Sequence, residues 1–343
     1  MRILVASLLL LVGTCSNKRH SERVKDLKES VNYDNKIEIE TYLNTISEKD
    51  LKKHLFEIAS DKYEGRKAGE NGHNQLCNYL KDFYKTYNIN APSAHPNYFQ
   101  NIPSSELPES INSTQNVIAY IKGSDLPNEY LIVSAHSDHL GIENGEIHNG
   151  ADDNGSGTSA ILEIAEAFLL AKKQGINPKR SIVFLHATAE ELGLIGSNFY
   201  TANPVFPLEN TVANLNTDMI GRVDKRHENN PNYVYVIGSD RISTELDFIV
   251  REANETFTHL NLDYKYNDKD DPNRYYNRSD HYNFALKNIP VVFFFNGEHE
   301  DYHKASDTVE KINFEILKKR TQLIFATAWY IANAENAPSK EVL

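Results

Sequence analysis

The sequence lacks two features that would place it in familiar classes of protein. It has no surplus of basic residues, because 36 Lys and Arg stand against 48 Asp and Glu in 343 residues, giving a formal net charge of −12. Nucleic-acid phosphates are contacted by clustered Lys and Arg, so this balance argues against a nucleic-acid partner. Beyond residue 15 there is also no apolar run close to the roughly 20 residues that a membrane-spanning helix needs. We therefore expect the mature chain to be soluble.

Cysteine is also scarce, with only Cys15 and Cys77 present. Residues 1–15 have the pattern of an export signal, in which Arg2 precedes an apolar stretch over residues 3–12. The end of this segment resembles a bacterial lipoprotein box, so Cys15 is expected either to carry lipid or to be incidental in an ordinary signal. Cys77 then lacks a partner for an internal disulfide, and its helical apolar neighbours predict a buried position without chemistry. We expect an exported protein that is periplasmic, lipid-anchored to the cell envelope or secreted, with membrane contact only through that lipid.

Composition divides the remaining chain into a polar segment and one domain. Residues 16–40 are rich in Lys, Glu, Ser and Asn and are expected to form a flexible tether, whereas residues 41–335 are expected to form a single domain. Helical periodicity predicts helices over 47–60 and 71–87, another after Gly157, and a C-terminal helix. Short apolar segments predict strands at 116–122, 130–135, 181–188, 212–215, 233–238 and 290–295. This alternation predicts an α/β fold with a largely parallel central sheet and helices on both faces.

Acidic, histidine and amide residues gather in four segments that follow predicted strands. These segments are residues 134–139, 150–157, 187–193 and 214–221. Any one of them alone also fits a solvated strand end or a capped turn. In an open α/β sheet, however, ligands bind at the carboxyl ends of the strands, so the four segments are expected to meet. Glu190 and Glu191 are costly to place near a core unless metal or hydrogen bonds offset their desolvation, and the set predicts a metal-dependent hydrolase.

A specific family resemblance strengthens this interpretation. It rests on six segments, in chain order AHSDH, NGADDNGSG, TAEELGLIGS, NLNTDMIGR, RSDHYNF and DYHKASDT. They resemble the motifs of metallopeptidase family 28, the co-catalytic di-zinc exopeptidases, over roughly residues 45–335. The resemblance implies a three-layer α/β/α sandwich around a mostly parallel mixed sheet and two zinc ions per chain. It also implies aminopeptidase activity on peptides with a free N-terminus.

The resemblance further implies which residues bind the metals. The implied ligands are His136, Asp153, Glu191, Asp218 and His303. His136 and Asp218 would bind one zinc, Glu191 and a histidine the other, and Asp153 would bridge both. Spacing alone leaves His281 and His303 as candidates for that histidine. The family's Tyr-His-x-x-x-Asp-Thr pattern matches His303, which leaves His281 a wall or structural residue.

Three further residues receive catalytic roles from the resemblance. Glu190 would act as general base on a water that bridges the metals, Asp138 would orient His136, and the Tyr302 hydroxyl would steady the oxyanion of the tetrahedral intermediate. Alternatively, Tyr302 is an aromatic residue packed beside the site. Carboxylate-rich surroundings would attract a cationic peptide N-terminus. The remaining alternatives are a carboxypeptidase, a glutaminyl cyclase-like enzyme and a non-catalytic binding protein on the same fold.

Overall fold

The computed structural model describes residues 20–343, so the predicted export signal and Cys15 lie outside the described residues. The described strands are β1 (Phe99–Ile102), β2 (Thr114–Ile121), β3 (Leu126–His136), β4 (Gly141–Glu143), β5 (Glu146–His148), β6 (Arg180–Ala187), β7 (Thr211–Thr217), β8 (Tyr233–Ile237), β9 (Asn261–Asp263) and β10 (Val291–Phe295). The described α-helices are α1 (His20–Ser30), α2 (Lys36–Leu43), α3 (Glu48–Ile58), α4 (Asn71–Thr86), α5 (Gly157–Lys173), α6 (Ile195–Ala202), α7 (Thr244–Ala253), α8 (His281–Ala285) and α9 (Phe314–Asn333). Among these helices, none is both long and apolar enough to cross a membrane.

Eight strands form one mixed sheet in the order β1-β2-β6-β3-β7-β10-β8-β9. The neighbours β6–β3, β3–β7, β7–β10 and β8–β9 run parallel, and the other three pairs are antiparallel. The six strands predicted from the sequence are all present as β2, β3, β6, β7, β8 and β10. The edge strands β1 and β9 and the hairpin β4–β5 were not predicted; they are short and partly exposed.

Alternate side chains of the central strands point to opposite faces of the sheet. In β6, Ile182 and Phe184 belong to the large core that the sheet shares with α3, α4, α5, α7 and α9. Val183 and Leu185 face the other side, where they pack with residues of α6 and α8. Helices thus cover both faces, which confirms the predicted three-layer α/β/α fold.

The segment predicted as a flexible tether is instead partly built into the fold. Residues 20–40 include α1 and most of α2. Val31, Tyr33 and Ile39 are buried in the large core, and the Tyr33 hydroxyl donates a hydrogen bond to the Ala326 carbonyl at 3.1 Å. The segment is polar overall, so its composition did not predict that these three apolar side chains pack into the domain core. From Val31 onward, this segment therefore packs on the domain, whereas α1 has no buried residue.

This packing generates a prediction about stability. Tyr33 is 7 % exposed and contacts the Phe257 ring edge-on at 5.2 Å, so Tyr33→Ala should reduce the free energy of unfolding by about 3 kcal/mol. Ile37 is 82 % exposed, and Ile37→Ala should change it by less than about 0.5 kcal/mol. Urea unfolding followed by circular dichroism measures both. If both substitutions changed the free energy of unfolding equally and only slightly, the segment would be a flexible tether as predicted from the sequence.

Candidate metal centre

Three adjacent parallel strands deliver their following residues to one edge of the sheet. β3 ends at His136, β6 is followed by Glu190 and Glu191, and β7 is followed directly by Asp218. Because β6, β3 and β7 are neighbours and parallel, these residues share the carboxyl edge. The predicted meeting of the four segments at this edge is what the structure shows.

The loop that precedes α5 brings Asp153 to the same edge. The Asp307 carboxylate accepts hydrogen bonds from the backbone N–H groups of Asp152 and Asp153 at 2.9 and 3.1 Å. From the other side, the buried Arg66 guanidinium donates to the Gly150 carbonyl at 3.0 Å. The sequence did not predict that these two residues hold this loop, because both lie far from it along the chain.

Close packing fixes the same loop against β7. Gly157 opens α5 where a Cβ atom would lie 2.7 Å from the Thr217 carbonyl oxygen, so only glycine fits. The Asn154 side chain donates to that carbonyl at 2.8 Å and accepts from the Gly157 N–H at 3.0 Å. The small residues of the NGADDNGSG segment therefore allow the loop to approach the strand that leads to Asp218.

Asp153 lies between two histidines. Its Oδ1 is 3.2 Å from His136 Nε2, which is also 3.3 Å from Asp218 Oδ1. Its Oδ2 is 3.2 Å from His303 Nε2, which is also 3.2 Å from Glu191 Oε2. The structure thus brings together all five residues that the family resemblance implied as ligands.

His303 occupies an unusual backbone and electrostatic position. Its φ of 57° is in the left-handed region, a strained conformation for a residue other than glycine. Burial lowers its pKa, but the carboxylates of Asp153 and Glu191 outweigh burial and raise that pKa to about 10. The His303 ring therefore lies beside two carboxylates that stabilise its protonated, positively charged form.

A further histidine was missed in the sequence analysis. His139 Nδ1 is 2.7 Å from Glu191 Oε1 and 3.8 Å from Asp153 Oδ2. Its ring is buried, and its Nε2 has no hydrogen-bond partner among the described residues. The available signal was its place in the AHSDH segment, three residues beyond the strand end that supplies His136.

The donor set fits divalent cations. The ligand atoms of His136, Asp153 and Asp218 lie within 4.8 Å of one another, as do those of His139, Asp153 and Glu191. Imidazole nitrogen and carboxylate oxygen are ligands that zinc accepts. Several carboxylates buried at such short range are costly unless cations neutralise them. The cluster is therefore chemically suited to metal.

The Glu190 side chain lies beside this cluster in an environment that favours its protonated form. Burial raises the pKa of Glu190 well above the ordinary carboxyl range; the nearby Asp218 and Glu191 add to the effect, and His136 opposes it. The ligand atoms of Glu190, Glu191 and His136 also lie within 4.8 Å of one another. Glu190 is thus a titratable carboxyl group close to the other ligand atoms of this cluster.

Asp138 supports the glutamate pair more than the histidine it was expected to orient. Its carboxylate accepts backbone hydrogen bonds from Glu190 at 3.2 Å and Glu191 at 3.4 Å. The same carboxylate is 3.8 Å from His136 Nδ1, whereas the Asp138 backbone carbonyl is 3.1 Å from that nitrogen. Burial raises the pKa of Asp138 to about 7. Its side chain therefore positions the backbone of Glu190 and Glu191.

The RSDHYNF segment contributes Ser279 to the site. The Ser279 hydroxyl donates to Asp218 Oδ2 at 2.7 Å and accepts from the Asn216 side chain at 2.8 Å. Asn216 in turn accepts from the Ser134 hydroxyl at 2.7 Å. These buried hydrogen bonds hold Oδ2 of Asp218 in place and leave its Oδ1 facing His136.

His281, the competing candidate ligand, lies outside these clusters. It stacks on Phe293 with ring centroids 4.8 Å apart and contacts the Tyr276 ring edge at 5.5 Å. Burial lowers its pKa to about 3. His281 is an aromatic packing residue, which agrees with the choice of His303 in the sequence analysis.

Tyr302 and Arg278 line the cavity above the cluster. Arg278 Nη2 donates to the Tyr302 hydroxyl at 3.3 Å, and Arg278 Nη1 is 3.0 Å from Glu298 Oε1. The cavity also contains aromatic and apolar walls, lined by Met219, Tyr275, Phe293 and Phe295. Tyr302 stacks on His303 with ring centroids 3.8 Å apart, so its hydroxyl is held beside the site while its ring packs.

The model of the peptidase M28 family matches residues 116–328. The chain belongs to this family. The match spans most of the site described above and confirms the family predicted from the six segments.

Individual relatives agree with this assignment. The chain is 27 % identical over 252 residues to leucine aminopeptidase 2 of Arthroderma otae, covering 66 % of this chain and 47 % of that protein. It thus spans about half the length of the curated relatives it matches.

Among solved structures, LapA of Legionella pneumophila superposes with a TM-score of 0.69 at 22 % identity, covering 88 % of this chain and 78 % of LapA. BSAP, a zinc aminopeptidase from Bacillus subtilis, superposes with a TM-score of 0.52 at 25 % identity, covering 67 % and 53 % of the two chains.

The positions of the two histidines predict different metal contents. His303→Ala should bind one zinc ion fewer per chain than the parent protein, because it removes a nitrogen 3.2 Å from both Asp153 and Glu191. His281→Ala should keep the parent zinc content, since its ring packs on Phe293. Metal analysis after dialysis measures both variants. The reverse order would overturn His303 as the ligand.

Proposed function

We propose that the chain is an aminopeptidase that binds two zinc ions and hydrolyses the N-terminal peptide bond of peptides. The position of Asp153 supports this most directly. Its two carboxylate oxygens each lie 3.2 Å from a different histidine, His136 and His303. One carboxylate therefore faces two separate donor groups, as a ligand shared between two metals must.

The proposed ligands form two groups around Asp153. His136 and Asp218 belong to one group, and Glu191 and His303 belong to the other. Each zinc would then have one histidine, one carboxylate of its own and a share of Asp153. Bound zinc in such centres polarises a carbonyl and lowers the pKa of water.

Glu190 is the proposed proton carrier of the reaction. It would accept a proton from the attacking water as the carbon–oxygen bond forms, and donate that proton to the amine nitrogen as the carbon–nitrogen bond breaks. The products are an amino acid with a new carboxylate and a peptide with a new N-terminus. The Asp138 carboxylate accepts a hydrogen bond from the Glu190 backbone N–H at 3.2 Å, which fixes the position of Glu190 beside the cluster.

Tyr302 is the proposed partner of the oxyanion that develops on the carbonyl oxygen. Its hydroxyl has one neighbour in Arg278 at 3.3 Å and lines the same cavity as Asp153 and Glu190. Burial and the carboxylates of Asp153 and Glu191 raise its pKa, so the hydroxyl keeps its proton and can donate it in a hydrogen bond.

The charge of the cavity supports a free amino terminus as the substrate group. The lining includes the carboxylates of Asp153, Glu190, Glu191, Asp218 and Glu298. Asp153, Glu191 and Asp218 are proposed zinc ligands, so the acidic groups left to face a substrate ammonium group are Glu190 and the carboxylate of Glu298 that is shared with Arg278. Arg278 is the cation in that lining that could bind a substrate carboxylate, but it is already paired with Glu298 at 3.0 Å. An aminopeptidase is therefore favoured over a carboxypeptidase.

Removing the proposed base should separate chemistry from metal binding. Glu190→Gln should lower kcat by roughly 10²–10⁴-fold, because the amide cannot shuttle the proton, while the zinc content stays at the parent value. Glu109→Gln, which changes an exposed glutamate, is the matched control and should leave both unchanged. Substantial residual turnover in Glu190→Gln would remove Glu190 from this role.

The substrate proposal is tested with a mixed peptide pool offered with free or acetylated N-termini. Release of the first residue should occur with free N-termini alone and should stop after metal chelation. Mass spectrometry of the released residues reports both outcomes. Release of residues from the C-terminus would favour a carboxypeptidase. Cyclisation of N-terminal glutamine would favour a cyclase, and no reaction from a zinc-loaded chain would favour a binding protein.

A further inference from the structure

We propose a second, separate metal site between α3 and α5, formed by His54, Glu163 and Glu166 and suited to a divalent transition-metal ion such as zinc. Ligand atoms of these three residues lie within 4.8 Å of one another. Glu163 is six residues beyond Gly157, where α5 begins, which is about 9 Å along the helix axis. The site shares no residue with the candidate centre at the sheet edge.

The His54 ring is held in the orientation that a ligand requires. Its Nδ1 is 3.0 Å from the Tyr79 hydroxyl, and its ring contacts Phe83 edge-on at 5.3 Å. Its Nε2 then faces Glu163 Oε1 at 3.5 Å. In the tautomer that carries its proton on Nδ1, that N–H donates to Tyr79 and Nε2 presents a lone pair to the space between the helices; metal-binding histidines are commonly oriented by an outer contact of this kind.

Glu163 supplies an unused acceptor that points into this space. Its side chain is 4 % exposed, and its Oε2 accepts the Ser47 N–H at 3.2 Å. Its Oε1 has no hydrogen-bond partner among residues 20–343. A buried carboxylate oxygen left without a partner is costly, and a cation beside His54 would satisfy it.

Helical spacing places the acidic residues on facing surfaces. Glu163 and Glu166 are three apart on α5, and Asp50 and His54 are four apart on α3, so each pair shares one helix face. The carboxylate of Asp50 acts on Glu163 and Glu166 by charge repulsion, and Lys53 partly offsets it. Because Glu166 and Asp50 are only partly buried, an ion can reach the site from solvent. One imidazole and carboxylate oxygens are ligands typical of zinc or manganese.

The test compares zinc stoichiometry after dialysis of the whole chain against a fixed, buffered concentration of free Zn²⁺. The parent protein should bind one equivalent more than either Glu163→Gln or His54→Gln. Gln has nearly the same shape as Glu and its side-chain oxygen can still accept the Ser47 N–H, so Glu163→Gln should preserve the fold. Glu109→Gln is the control and should match the parent.

Two further readouts identify the site that changes. Peptide release should be the same in the parent and in both variants, because the sheet-edge cluster is intact. Zinc should raise the Tm of the parent by more than it raises the Tm of either variant. Equal zinc content in all four proteins would overturn this site whatever the number of ions at the sheet edge. Loss of peptide release together with loss of the extra equivalent would also contradict a separate site.

Discussion

Repulsion among carboxylates at the carboxyl edge of the sheet is the constraint on which the structure of this site depends. Asp153, Glu190, Glu191 and Asp218 converge there, and two like charges 4 Å apart cost about 4 kcal/mol at an effective dielectric constant of 20. The histidines beside them respond with raised pKa values: the carboxylates outweigh the burial of His303 and of His136. Divalent cations would relieve this repulsion with more charge than protons supply.

The fold supplies the rigidity that such a cluster needs. Parallel strands set the positions of three of the four carboxylates, and the fourth arrives on a loop held by Asp307 and Arg66. Ser279 and Asn216 fix the direction of the Asp218 carboxylate. Each of these contacts comes from a different part of the chain. The geometry of the ligands is therefore a property of the packed domain and not of any single motif.

Much of the site could be predicted because its residues follow strands in chain order. The alternation of strands and helices predicted that these residues meet at one sheet edge. The motifs predicted which of them bind metal, namely His136, Asp153, Glu191 and Asp218. Spacing left both His281 and His303 as candidates, and the family pattern selected His303. The structure agrees, because His281 packs on Phe293.

The remaining features depend on contacts between distant residues, which local pattern does not encode. Arg66 approaches Gly150 across 84 positions, and His54 meets Glu163 across two helices. A related reason explains why part of the segment predicted as a flexible tether packs on the domain. A few apolar residues in a polar segment, Val31 and Tyr33 among them, are enough to anchor it to the core.

The central proposal is that the Asp153 carboxylate would be shared by two zinc ions. Anomalous diffraction from crystals of the zinc-loaded protein, collected on both sides of the zinc absorption edge, tests it directly. The account predicts two anomalous peaks on opposite sides of Asp153, one beside His136 and Asp218 and the other beside Glu191 and His303. A single peak, or two peaks of which one lies away from Asp153, would contradict it.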